Sequence, residues 1–241
     1  MNLKEEVSMH QDTDTAVDRA ASIVESYFRA PVDSLVETAA AVSRDLDAVR
    51  AAAPLTVSEL DALVQPHAMT LLALPDLAVY GAGYVAAIDL LDDARSHLAW
   101  WQGSDRSRLL LAAQSLGKER IDYSEMEWFR VPHATGRPHV AGPYVDYLCS
   151  DEYTVTIAAP VASRGAFAGV AALDLLVDSI ERDLTPRLED VGLPVTLVNG
   201  VGRVVVSTDH RSGAGDSVRG SRLATLPRVS CGEVALDVIV G

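Results

Sequence analysis

The stretch EYTVTIAAPVASRGAFAGVAALDLLV, residues 152–177, decides the fold. Two apolar runs, Glu152–Val161 and Phe167–Val177, flank a short turn at Ser163–Gly165. Runs of this length on either side of a Ser/Arg/Gly turn predict adjacent strands joined as a hairpin. One residue breaks the pattern. Asp174 interrupts GVAALDLLV, where an unpaired buried acid is expensive.

Downstream, Asp178–Leu188 returns to a helix-compatible pattern, with Pro186 expected to end the helix early. Pro194–Val198 and Arg203–Ser207 flank Asn199-Gly200, a second hairpin signal. After the polar Ser/Gly stretch 211–220, Glu233–Val240 reads as a last strand. Upstream, Tyr123, Trp128 and Phe129 stand in a segment punctuated by Pro132, Gly136, Pro138, Gly142 and Pro143, which predicts a long crossing loop. Asp76–Asp92 reads as a strand and turn, with Gly81 and Gly83 permitting a tight turn or close backbone packing. The neighbours Trp100 and Trp101 point to opposite faces if that segment is a strand, and core roles are expected for both.

The chain begins with helix. Apolar residues recur at three and four from Thr15 to about Val49, with a stripe of Ala20, Ile23, Val24, Tyr27 and Phe28, then Leu35, Val36, Ala39 and Val42. Pro31 marks a kink or boundary, and Ser58 reads as the N-cap of a second helix. The expectation is an α+β fold with a central antiparallel sheet flanked by helices and a long N-terminal helix. Residues 1–75 form a helical extension and residues 76–241 the sheet domain.

The composition excludes several classes. The 241 residues carry a net charge of -14, and Lys4 and Lys118 are the only lysines, which disfavours direct nucleic-acid binding. The N-terminus lacks a secretory pattern, and no apolar run approaches the ~20 residues of a membrane helix. Cys149 and Cys231 form no CxxC pair, so separate thiols and a cytoplasmic location are expected. No GxSxG, HExxH, phosphate-binding loop or paired CxxC is present. His133 and His139 lack strong ligand spacing; structural or surface roles are preferred for both, and no metal or cofactor is expected.

Four ordered pieces remain: Tyr123-Ser-Glu-Met-Glu-Trp128-Phe129-Arg130, Gly142-Pro143-Tyr144-Val-Asp146-Tyr147, Thr154-Val-Thr156 through Pro160-Val161, and Gly165 through Gly169-Val170 to Asp174-Leu175. Together they resemble the Cache, or PDC, sensor family, whose fold is PAS-like. The resemblance spans roughly residues 76–208 and implies a small-molecule pocket between the sheet and the crossing loop. In its amine and amino-acid binding members an aromatic pair lines the pocket, which here corresponds to Trp128 and Phe129. The Y-x-D tyrosine and acid correspond to Tyr144 and Asp146, and the strand-ending acid to Asp174; the two acids accept the ligand ammonium. The arginine that holds a ligand carboxylate falls on Met126, and an upstream tyrosine on Ile121.

A methionine cannot make the bidentate, charge-assisted contact by which arginine recognises a carboxylate. Arg130 is the substitute at hand, from a different angle. Trp128 with Tyr123, Tyr144 or Tyr147 offers aromatic faces, and Asp146 and Asp174 offer charge, which together suit a small amine. Amino acids come next and simple carboxylates third. Other readings stand beside these: Trp128 and Phe129 as loop anchors, Asp174 as a helix N-cap, Asp146 as an exposed turn acid.

The expected activity is non-enzymatic sensing or binding of a small ligand, passed on to a regulatory protein partner. A homodimer through the long amphipathic helix is expected, because such a helix needs an apolar partner. The alternatives are an enzyme of unknown class using Asp146, Asp174 and His133, and a ligand-free dimerisation scaffold.

Overall fold

The computed structural model describes residues 3–75, 77–109, 122–147 and 152–241. Helix α1 (Leu3–Ala52) runs 50 residues without a break at Pro31, which lies inside it. Ala20, Val24 and Phe28, spaced by four, and then Leu35, Ala39, Val42 and Leu46 form its buried stripe. Helix α2 (Val57–Leu71) is capped by Thr56 rather than by Ser58. The Thr56 hydroxyl accepts from the Glu59 amide at 3.4 Å, and the Glu59 carboxylate accepts from the Thr56 amide at 2.9 Å. This reciprocal box follows from the T-x-x-E spacing and satisfies two donors that a bare helix start leaves open.

Six strands form the first sheet: β1 (Val79–Ala86), β2 (Leu98–Gln102), β3 (Ser107–Arg108), β4 (His139–Val145), β5 (Tyr153–Ser163) and β6 (Ala166–Leu176). Their order is β3-β2-β1-β6-β5-β4, and every neighbouring pair is antiparallel. The hairpin expected from residues 152–177 is the β5–β6 pair near the middle of the sheet. Both of its faces are covered, which is why its strands read as near-continuous apolar runs. Val155, Ile157, Leu173 and Leu175 join the core under α1 and α2. Ala158, Val170 and Ala172 face the other way, with Val85, Leu98 and Trp100.

That second face is crossed by a 3-10 turn, Tyr123–Glu125, and by helix α3 (Glu127–Thr135). The expected loop is therefore partly helical. Phe129 and Pro132 are buried on the helix's inner side, and Gly136, in the left-handed conformation, ends it with its amide on the Pro132 carbonyl at 2.9 Å. Breaker residues marked its end correctly, but its one inward face is too short for a periodic signal.

Beyond β6, helix α4 (Val177–Glu189) continues past Pro186. It leads to β7 (Val195–Asn199), β8 (Val204–Ser207), β9 (Arg228–Ser230) and β10 (Leu236–Val240), a second antiparallel sheet ordered β8-β7-β10-β9. The late strands thus do not extend the central sheet. Its inner edges are already taken: β1 flanks β6, and β4 closes the far side of β5, so the chain leaving β6 finds no open edge beside it. Helix α1 packs on β5 and β6 of the first sheet and on β9 and β10 of the second, so one core joins both. The Asn199 side-chain amide also donates to the Gly142 carbonyl at 2.5 Å, between β7 and β4. Cys231 is a buried free thiol. Cys149 lies outside the described residues.

Candidate functional site

The functional candidates gather where β5 and β6 pass beneath the crossing segment. Asp174 lies inside β6, directly paired with Thr156 of β5 on one side and Gly81 of β1 on the other. It is therefore a mid-strand acid and caps no helix; the residue before α4 is Leu176. The Thr156 hydroxyl donates to the Asp174 carboxyl at 2.6 Å. Because that hydroxyl has one proton, it accepts from the Tyr144 phenol, to which it is also hydrogen-bonded. A register shift between Ala141 and Tyr144 in β4 brings Tyr144 beside Thr154 and aims its ring into the site.

Asp146 follows β4, its amide held by the Glu152 carbonyl at 2.9 Å. Its side chain is buried rather than exposed on a turn. Tyr123 is buried on the 3-10 turn with its ring centroid 6.0 Å from that of Trp128, the second residue of α3. Around these groups lies a cavity of about 340 Å³. Tyr123, Met126, Trp128, Tyr144, Asp146, Tyr147 and Asp174 all line it. Tyr147 stands at the rim, 75% exposed.

Two expected residues are elsewhere. Phe129 does not line the cavity: it is buried against Trp128 and Phe167, with ring centroids 6.2 and 5.4 Å away. Arg130 is exposed on α3 and is absent from the lining. The reason for both is helical geometry, since consecutive residues of a helix point about 100° apart and only one of Trp128, Phe129 and Arg130 can face the cavity. The position assigned to Ile121 lies outside the described residues.

The cavity's described lining contains Asp146 and Asp174 but no Lys, Arg or His. Burial pushes the Asp174 carboxyl up to about 8; the Thr156 hydrogen bond opposes the rise and the neighbouring Asp146 adds to it. Near neutral pH, Asp174 is therefore mostly a neutral acid, ready to ionise when a positive charge arrives.

Sequence reasoning missed Thr156, Trp100, Val85, Leu98 and Ala172 in this lining. Thr156 was reachable by counting outward from the Ser163–Gly165 turn to the position opposite Asp174. For Trp100 the alternation at Trp100-Trp101 supplied two faces without saying which was the cavity's. Trp101 joins the core under the helices and Trp100 the cavity face. The histidines are separate: His133 stacks on Phe167 with centroids 4.1 Å apart, and His139 Nε2 lies 2.8 Å from Glu127 Oε1. Among the described residues no cluster of three His, Cys, Asp or Glu side chains is placed to hold a metal. No helix there is long and apolar enough to cross a membrane.

Residues 86–182 match the family profile described as methyl-accepting chemotaxis protein-like, first PDC sensor domain. No curated protein matches the chain at a significant level. Among solved structures, the extracellular domain ascribed to the histidine kinase mmHK1S-Z3 is 14% identical, with a TM-score of 0.67 over 97% of this chain and 93% of its own. The ligand-binding domain of the Pseudomonas fluorescens chemoreceptor CtaA, in complex with L-valine, is 12% identical, with a TM-score of 0.64 over 97% and 96%. That of the Pseudomonas aeruginosa amino-acid chemoreceptor PctB, in complex with L-Arg, is 15% identical, with a TM-score of 0.60 over 99% and 95%. The CtaA and PctB domains are described as the ligand-binding domains of chemoreceptors. The profile match runs from the end of β1 into α4, and the fold agrees with that of these solved domains over nearly the whole chain.

Proposed function

We propose that this sensor domain binds a small organic amine in the cavity beneath α3. The observation that carries the proposal is the buried Asp174 carboxyl, set in the cavity wall beside the aromatic side chains of Trp128, Tyr123 and Tyr144. A ligand cation meets the Asp174 carboxyl, and Trp128, Tyr123 and Tyr144 supply aromatic faces worth about 0.5–2 kcal/mol as cation–π partners. Met126 lines the cavity, and the resemblance assigns its position to the arginine that holds a ligand carboxylate.

Amino acids are the second ligand class. CtaA and PctB were crystallised with L-valine and L-Arg, and the Pseudomonas aeruginosa receptor PctC with GABA. A thermal-shift and calorimetry panel of choline, methylammonium, L-valine and acetate separates the classes. Binding of the two amines without acetate supports the proposal. Binding of L-valine or acetate with neither amine overturns it.

In this reading residues 76–241 are the ligand-binding unit, and residues 1–75 pass occupancy on to a regulatory partner protein. The length of α1 favours a homodimer, checked by analytical ultracentrifugation. The cytoplasmic expectation rests on the sequence grounds given above, while the neighbour mmHK1S-Z3 is an extracellular domain. A fusion to a reporter active only outside the cytoplasm decides between the two compartments.

A further inference from the structure

We propose that Trp100 is a ligand-contacting wall that sets which amines fit, held in a recess that Gly81 and Gly83 leave on β1. This rests on the amine reading of the same cavity. In the β1–β2 register Gly83 is paired with Trp100. A Cβ atom at Gly81 would come within 2.6 Å of Trp100 Nε1 and 3.0 Å of both Cε2 and Cζ2, and one at Gly83 within 2.9 Å of Cε3. The indole thus fills the volume that two side chains on β1 would claim. These glycines lie inside a strand, and neither forms a turn.

The recess is beside the acid. Gly81 is the direct partner of Asp174 across β1 and β6, so the indole edge over Gly81 borders the Asp174 side chain on the same face of the sheet. A cation drawn to Asp174 meets the indole at that point. Trp100 is 3% exposed, and its Nε1 has no hydrogen-bond partner among the described residues. Among the described residues the ring is therefore located by shape, and filling the recess displaces it into the cavity. Gly81 is the position to fill, because the atoms nearest to a Cβ there all belong to the indole ring, whereas a Cβ at Gly83 would also strike the Ala99 carbonyl at 2.0 Å.

The test uses the full chain with choline and methylammonium as probes. Three tryptophans give three indole N–H resonances, and W100F assigns the relevant one. G81A is expected to shift the Trp100 resonance and speed its exchange with water. It is expected to weaken choline by about tenfold and methylammonium by less than about threefold, the larger ammonium losing more of its space. W100F is expected to weaken both amines by about threefold or more as the better cation–π face is lost. If the wild type binds neither amine, the amine reading fails, while displacement of the indole in G81A still supports the recess. An unmoved Trp100 resonance in G81A, or an unchanged choline-to-methylammonium ratio with the indole displaced, overturns the proposal.

Discussion

The Thr156 hydroxyl donates to the Asp174 carboxyl at 2.6 Å, between directly paired residues of the inner strands β5 and β6 of the first sheet. The bond accounts for how an acid is tolerated among Ile157, Leu173 and Leu175: it faces the cavity while they face the helices. It does not remove the cost of ionising there, since burial outweighs the hydrogen bond and the carboxyl titrates near 8.

That value makes stability depend on pH. An aspartate in an unfolded chain titrates near ~3.9, so between about pH 4 and about pH 8 the folded state holds a proton that the unfolded state has lost. The contribution of Asp174 is fully present below the unfolded value and is lost as pH rises toward 8. D174N, which cannot ionise, is expected to lose less thermal stability than the wild type between about pH 5 and about pH 8.5. Parallel melting-temperature curves for the two proteins would refute the assignment.

The same proton couples to the ligand. A permanently charged amine such as choline, bound against Asp174, expels its proton below about pH 8. Affinity is expected to rise as pH increases from about 6 to about 8, by up to about tenfold per pH unit for one proton. Calorimetry in two buffers of different ionisation enthalpy counts the proton released. Equal heats in both buffers at about pH 6.5 would contradict the linkage.

Met126 offers a gain-of-function experiment. M126R places a guanidinium in the cavity wall, where a bidentate bond to a carboxylate becomes available. L-valine is expected to bind about tenfold tighter or better, and choline to bind more weakly through repulsion. An L-valine affinity unchanged by the substitution means that residue 126 does not face the part of the cavity where a carboxylate rests.

A separate prediction concerns the polar stretch after β8. Asp209 is almost buried and accepts from Arg211 Nε and Nη2 and from Arg222 Nη2, each at 2.9 Å. Hydrogen bonds from the Arg211 side chain and backbone, then from Arg222, hold its carboxyl well below the usual range. A lowered value stabilises the fold above the unfolded pKa of about 4, and that stability is lost as pH falls through the folded value. D209N is expected to melt below the wild type at about pH 7, with the gap narrowing toward about pH 3. A gap constant across that range would show that Asp209 acts through packing rather than charge.

The sequence by itself determined what local periodicity and turn chemistry encode. The hairpin about Ser163–Gly165, the α1 stripe through Val24 and Phe28, and the unusual acid at Asp174 were all legible from a few neighbouring residues. Only the tertiary structure decided the rest. Residues 127–135 became a helix because Phe129 and Pro132 found a sheet to bury against, and that choice turned Phe129 and Arg130 away from the cavity that Trp128 enters. The late strands formed a second sheet because the edges beside β5 and β6 were already paired. Trp100 rather than Trp101 met the cavity because the helices cover the opposite face. Alternation assigns two faces to a strand; what packs on each is settled by residues far away in the chain, and so is the meaning of every side chain on it.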